Sequence, residues 1–239
     1  MCIGECYAKR LGRFVMRGQK IVVLKAEPEP VEVDLNRTAV VVVDMQNTFV
    51  SKGGMFDLAG IDVSLSRKIV EPIQEMTRKA RLNGVKVIYI AHTISPDWHE
   101  VGFNSPFWFT RTSKIYREQP ELRDKLIVRG TWGAEIIDEL KPDKDDVVIE
   151  KLRYSAFSGT NLDMLLKNYD IKYLIFSGVA TNICVETSIR DAYHLEYFPI
   201  LVTDAAATQP SMSQEAAIRN VRLCFGWVTS SQNVIQALQ

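Results

Sequence analysis

The run Thr38-Ala-Val-Val-Val-Val-Asp44 constrains the fold of this chain more than any other stretch. It is too short for a helix and has no polar face. It therefore reads as a strand buried on both sides, the mark of a central strand in a parallel sheet. Four more apolar runs of strand length follow, at 86–91, 146–150, 173–176 and 199–203, with a short sixth at 227–229. Helical patterns lie between them. In 67–83, Ile69, Ile73, Met76 and Ala80 recur at three- and four-residue steps, Asn83-Gly84 stops the helix and Ser66 stands where it can cap it. Segments 134–140, 161–169 (with Thr160 as its cap), 213–223 and the C-terminal residues also read as helical. Strand and helix alternate throughout, which predicts an α/β fold: a three-layer, doubly wound sandwich with a mostly parallel central sheet.

The 239 residues are enough for one such domain with a sizeable core. Lys+Arg and Asp+Glu both number 29, so no net field selects nucleic acid or an anionic membrane as partner. No apolar run approaches membrane-spanning length. Four cysteines without framework spacing fit free thiols in a reducing compartment, and the expected location is cytoplasmic. Residues 1–36 read as an N-terminal arm, with a proline-stiffened connector at 26–30, and 37–239 as the domain proper. The arm is expected to pack on its own subunit or on a neighbour. Cys2 and Cys6 have no partner pair, and the chain has only three histidines, so the arm is not read as a metal site.

Chemistry concentrates in the stretch YLIFSGVATNICVETSIRDAYHLEY, from Tyr173 to Tyr197. A buried strand gives way at Ser177-Gly178 to an amphipathic helix, and Cys184 falls at the junction, with Thr181 or Asn182 available as N-cap. A sulfur there meets unpaired backbone N–H groups and the positive end of the helix dipole, both of which favour thiolate. In open α/β sheets ligands bind at this address, outside the carboxyl ends of the strands. Asp44 closes the first buried strand, and Lys151 follows the third. A parallel sheet brings all three ends to one edge. A lysine cation then lowers the thiol pKa, and the aspartate can hold the lysine charged and accept the thiol proton. Read singly, each residue has a plainer role: a packed cysteine, a turn-capping aspartate, a solvated lysine. The connection 92–132, rich in aromatic and turn residues, is long for a compact domain and reads as a substrate-side flap, a subunit contact, or both.

These residues carry a resemblance. Val-Val-Val-Asp44-Met-Gln-Asn, Lys151 after a strand, and Gly178-Val-Ala-Thr-Asn-Ile-Cys184-Val-Glu are similar to the motifs of the isochorismatase-like cysteine hydrolases, over roughly residue 38 to the C-terminus. Gly53-Gly-Met-Phe-Asp-Leu-Ala-Gly60, Arg153-Tyr-Ser-Ala-Phe157, Arg190-Asp-Ala-Tyr-His-Leu-Glu-Tyr-Phe198 and Phe225-Gly-Trp-Val228 most resemble the ureidoacrylate amidohydrolase branch. The resemblance implies the isochorismatase-like hydrolase fold and a Cys184 nucleophile with Asp44 as general base and Lys151 tuning both. It implies an oxyanion hole from the backbone N–H groups of Ala180 and Cys184, with a cis peptide between Val179 and Ala180. It also implies a small ureido or amide substrate cleaved through an acyl-thioester, with carbamate and ammonia as products, no cofactor, and a homo-oligomer. Phe49, His92, Tyr154 and Val179 fall at positions that line the substrate pocket, Phe49 as an apolar wall or an ordinary core aromatic and Tyr154 as a hydroxyl donor. His92 and Ile94 depart from the Asn and Trp of that branch, which bears on specificity. Asp97-Trp-His99 matches part of a nicotinamidase metal motif, but the further histidine is absent, so no metal is expected. The alternatives are a nicotinamidase-like or isochorismatase-like hydrolase of another small substrate, or a non-enzymatic scaffold subunit.

Overall fold

Every residue from Ala39 to Val43 is fully buried in the computed structural model, which describes residues 18–102, 104–109 and 114–239. The run forms β3 (Thr38–Val43), after an antiparallel hairpin of β1 (Ile21–Leu24) and β2 (Val31–Asp34). Five more strands follow: β4 (Lys86–His92), β5 (Val147–Lys151), β6 (Tyr173–Val179), β7 (Phe198–Ala207) and β8 (Trp227–Thr229). They join β3 in a six-stranded, all-parallel sheet of order β5-β4-β3-β6-β7-β8.

The period of two along β3 divides the core between the two faces of the sheet. Val40 and Val42 belong to one cluster with Ile73, Met76 and Ala80 of α1 (Val70–Leu82), Val234 of the C-terminal helix Ser231–Ala237, and Leu24 and Val33 of the hairpin. Ala39, Val41 and Val43 belong to the other, with Leu162 and Leu166 of α2 (Leu162–Asn168) and Ile189 and Ala192 of α3 (Glu186–His194). Both faces are covered, as a doubly wound sandwich requires. Burying Ile73 and Met76 completely contributes about 1.5–3 kcal/mol each.

Several local readings are corrected. The helix expected over 67–83 is two pieces, Ser64–Lys68 and α1, separated at Ile69. Pro72 explains the break, since its ring meets the carbonyl four residues back and it has no N–H to donate. Ser66 lies inside the first piece and does not cap it; Val63 holds the N-cap position, and Asp62 before it accepts from the Ser64 backbone N–H and hydroxyl. Segment 134–140 is not one helix. Two single turns, Trp132–Ala134 and Asp138–Leu140, flank Ile136, which is drawn into a β-bridge with Gln46. The strand expected over 199–203 does not stop there but runs on to Ala207, past an irregularity in its pairing with β6. Thr160 does accept from the Leu162 N–H at the start of α2. Of the N-terminal arm, the described part 18–36 contains the hairpin, with 26–30 as its turn, and packs on its own subunit. Cys2, Cys6 and Phe103 lie outside the described residues.

Candidate active site

Four adjacent strands, β5, β4, β3 and β6, end beside one another. β3 pairs with β4 on one side and β6 on the other, and β4 pairs with β5 so that His92 and Lys151 are register partners. Register partners on parallel strands project to the same side of the sheet, so these two side chains start out as neighbours. Asp44, one residue beyond β3, has φ +53°, a left-handed conformation that Asp tolerates better than most residues. Its N–H still donates to the Ile90 carbonyl, which fixes the turn against β4.

The neighbouring strand demands a glycine. Gly178 has φ +109°, and a Cβ there would stand 2.0 Å from the Val43 carbonyl oxygen. No other residue lets β6 approach β3 this closely. After β6 the Val179–Ala180 peptide is cis, in agreement with the resemblance. The chain then makes one π-helical turn, Thr181–Val185, before continuing as α3. Such turns are rare and concentrate at functional sites. Neither Thr181 nor Asn182 caps it: Ala180 holds the N-cap position, and Asn182 accepts instead from Thr208. Cys184 lies within this turn, and its carbonyl accepts from Ser188, whose Oγ in turn accepts from the Ala156 N–H. The loop after β5 is thereby tied to the back of the turn.

The three predicted residues meet. Lys151 Nζ is 2.8 Å from Asp44 Oδ2 and 3.3 Å from Cys184 Sγ, and it also donates to the Arg153 carbonyl at 3.1 Å. Exposure is 1% for Asp44, 1% for Lys151 and 7% for Cys184. Lys151 is the last residue of β5 rather than a residue beyond it, which is why its ammonium is so deeply placed.

Burial sets the electrostatics. It raises the Asp44 carboxyl, against the opposing pull of Lys151 and Cys184. Burial alone would lower Lys151, but Asp44 and Cys184 outweigh it and hold the ammonium charged. The Cys184 thiol is raised rather than lowered, by burial first and by Asp44 second, with Lys151 opposing. The dipole argument from sequence is thus overridden, and the surroundings favour the protonated thiol. His92 is held well below its usual range by burial and by Lys151. A neutral imidazole therefore faces the site.

Asp44 and Cys184 open on a recess walled by Phe49, Met55, Phe56, Val179, Ala180 and Ile183, with His92 and Tyr154 as its polar members. It has about 450 Å³ of atom-free space, its open mouth included. Phe49 and Phe56 meet edge to face at 4.9 Å, and His92 and Tyr154 do so at 6.4 Å. All four residues read from sequence as pocket-lining are at this recess. Met55, Phe56 and Ile183 were missed as walls, although the first two sit in the Gly53–Gly60 motif and the third lies next to Cys184. Gln46 was missed as a support. Wholly buried, it donates to the His92 carbonyl at 3.0 Å, accepts from the His92 N–H at 2.8 Å and donates to the Ala134 carbonyl at 2.7 Å. One amide thus continues the β3–β4 ladder past the end of β3. Its sequence signal was its place in the Val-Val-Val-Asp44-Met-Gln-Asn motif, two residues beyond the acid that closes the strand.

A doubly wound sheet with a thiol, an acid and an amine gathered at its carboxyl edge defines a hydrolase-type α/β domain with a buried cysteine. The isochorismatase domain model matches residues 38–233, and the chain belongs to the isochorismatase family. It is 42% identical over 211 residues to the ureidoacrylate amidohydrolase RutB of Methylorubrum extorquens, covering 87% of this chain and 85% of that one. Among solved structures, a cysteine hydrolase from Pseudomonas syringae pv. phaseolicola superposes with TM-score 0.72 at 30% identity, over 93% of this chain and 98% of the other. The N-carbamoylsarcosine amidase of Thermoplasma acidophilum does so with TM-score 0.62 at 28% identity, over 82% and 96%.

Proposed function

We propose that this protein is a cysteine-dependent amidohydrolase that cleaves the C–N bond of a small ureido, N-carbamoyl or amide compound, with ureidoacrylate as the leading substrate. The observation that carries the reading is the contact of one buried ammonium with both the Cys184 sulfur, at 3.3 Å, and the Asp44 carboxylate, at 2.8 Å, at the floor of an apolar recess. The names of the relatives support the substrate class.

In this mechanism Asp44 takes the Cys184 proton as the sulfur attacks the substrate carbonyl, and Lys151 stabilises the negative charge that builds on sulfur. The tetrahedral oxyanion rests on the backbone N–H groups of Ala180 and Cys184, which lie in a first turn where N–H groups have no intrahelical acceptor. A single donor of this kind is worth about 2.7–4 kcal/mol in the transition state. Asp44 returns the proton to the departing nitrogen, which leaves as amine, and an acyl-thioester remains on Cys184. Water then loses a proton to Asp44, its oxygen adds to the thioester carbon, and collapse expels the sulfur, which recovers that proton. For a ureido substrate the second product is carbamate, which decomposes to ammonia and carbon dioxide. Phe49, Val179, His92 and Tyr154 hold the substrate.

The reading extends to a homo-oligomer, supported by Phe109, 70% exposed in the long connection, which self-association would cover. The test is turnover of Cys184→Ala and Cys184→Ser on ureidoacrylate, other N-carbamoyl acids and simple carboxamides. Loss of ammonia release by both variants is expected. Wild-type turnover in either would refute the assignment.

A further inference from the structure

We propose that Asp44, His92 and Cys184 also form a binding site for a thiophilic divalent metal ion, with zinc as the prototype, and that filling it switches the nucleophile off. One carboxylate oxygen, one imidazole nitrogen and one sulfur, all buried, lie within 4.8 Å of one another. Tetrahedral zinc with bonds of about 2.0–2.3 Å places its ligand atoms roughly 3.3–3.7 Å apart. The trio therefore needs to contract by only about 1 Å, and the ligand types are those zinc selects.

Lys151 opposes a second cation here, since its ammonium touches both Asp44 and Cys184, whereas the rest of the surroundings favour one. His92 hydrogen-bonds the Leu152 backbone through its ring. A metal-binding imidazole is usually fixed in this way, one nitrogen donating to a carbonyl while the other faces the ion. Gln46 holds the His92 backbone at both its N–H and its carbonyl, so the ring has a rigid base. Lys151 engages Oδ2 of Asp44, and the carboxylate has a second oxygen to offer. All three ligands line the apolar recess, so a fourth ligand would come from whatever occupies it, water or a substrate heteroatom. With a single carboxylate and no cluster of oxygens, the set does not suit magnesium or calcium. The sequence motif Asp97-Trp-His99 plays no part: Asp97 accepts from Ser95 and from the His99 N–H at an exposed turn.

The binding step exchanges one ion for one proton. The metal–sulfur bond forms as the Cys184 S–H bond breaks, the proton passes to solvent, and no electrons are transferred. A metal-held sulfur shares its electron density with the ion and is a weaker nucleophile than a free thiolate, and the ion would stand where the carbonyl must approach. The inhibitory half of the inference rests on Cys184 being the nucleophile, while the binding half does not.

Cobalt(II) is the probe for binding. Added to metal-free full-length protein, it is expected to produce a thiolate-to-cobalt charge-transfer band that saturates at one equivalent and is displaced by zinc. Cys184→Ser is expected to abolish the band, and His92→Asn to weaken binding at least tenfold, since losing even the hydrogen-bond partner of a ligand costs about that much. Circular dichroism establishes that both variants are folded. A wild-type protein without the band, or a folded Cys184→Ser variant that keeps it through another cysteine, overturns the site. Zinc is then expected to abolish ammonia release, and a chelator to restore it. Full turnover at saturating zinc would leave the site standing and overturn the switch. A protein inactive on every amide tested, yet showing the band, would count against the proposed function and not against the metal site.

Discussion

Strand β5 has an ion pair at each end, a half-buried one at the residue before its start and a fully buried one at its last residue, and the two are built differently. Just before its start, Asp146 accepts from Arg81 Nε at 3.1 Å and from Nη2 at 2.6 Å, and it also accepts from the Asp143 N–H. The same guanidinium donates to the Tyr89 hydroxyl. At the end of the strand, Lys151 meets Asp44 through a single 2.8 Å contact, and its remaining donors reach a sulfur and a carbonyl. A planar fork with several donors saturates a carboxylate and leaves it nothing further to do. A point-charge ammonium does not saturate its partner, and this one shares its partner with a thiol at the floor of a recess. The difference separates a pair that fastens α1 to the sheet from a pair that can pass a proton.

The largest effect expected falls on the second pair. Asp44→Asn keeps the shape but removes the base, and kcat is expected to drop about 10²–10⁴-fold, measured as ammonia release. Lys151→Met should lose activity similarly and also destabilise the fold by about 3–5 kcal/mol, because Asp44 is left buried without its cation; urea denaturation reads this. Next comes Arg81→Ala, expected to cost about 1–3 kcal/mol of stability while leaving kcat/KM unchanged. If Arg81→Ala lowered kcat/KM as far as Asp44→Asn does, the distinction between the two pairs would fail.

The smallest effect is on pH dependence. Burial raises the Asp44 carboxyl above its ordinary 3.8, so on acidification its basic form is lost earlier than in an exposed aspartate. The acid limb of kcat/KM is expected above that value and should vanish in the residual activity of Asp44→Asn. For folding the sign is opposite to that of a paired surface aspartate. The folded state holds this proton more tightly, so the contribution is fully present below 3.8 and is lost as pH rises through the folded-state value. Denaturation across that range, wild type against Asp44→Asn, measures it.

Much of this was legible from residue patterns, for definite reasons. Strands buried on both faces leave continuous apolar runs such as Val40 to Val43, and parallel strands align their ends, so Asp44, Lys151 and Cys184 could be gathered without coordinates. The hairpin of β1 and β2 was not read, because each strand has only four residues and prolines crowd the turn between them. The break at Ile69 follows from Pro72, which the apolar period passes over without interruption. The direction of the thiol shift was misjudged because a helix terminus shows in sequence and the depth of burial does not. Met55 and Phe56 reach the recess from a single helical turn, Met55–Leu58, which is too short for any periodicity to encode.

The central claim is that Cys184 forms a covalent bond to substrate carbon. Acid-quenching the protein during turnover of an amide or ureido substrate, followed by intact-mass measurement and peptide mapping, tests it directly. The account predicts an acyl or carbamoyl mass on the peptide containing Cys184, absent from Cys184→Ala and most abundant when deacylation is slow. Sustained turnover with no adduct at any quench time, in a protein whose activity survives Cys184→Ser, would contradict it.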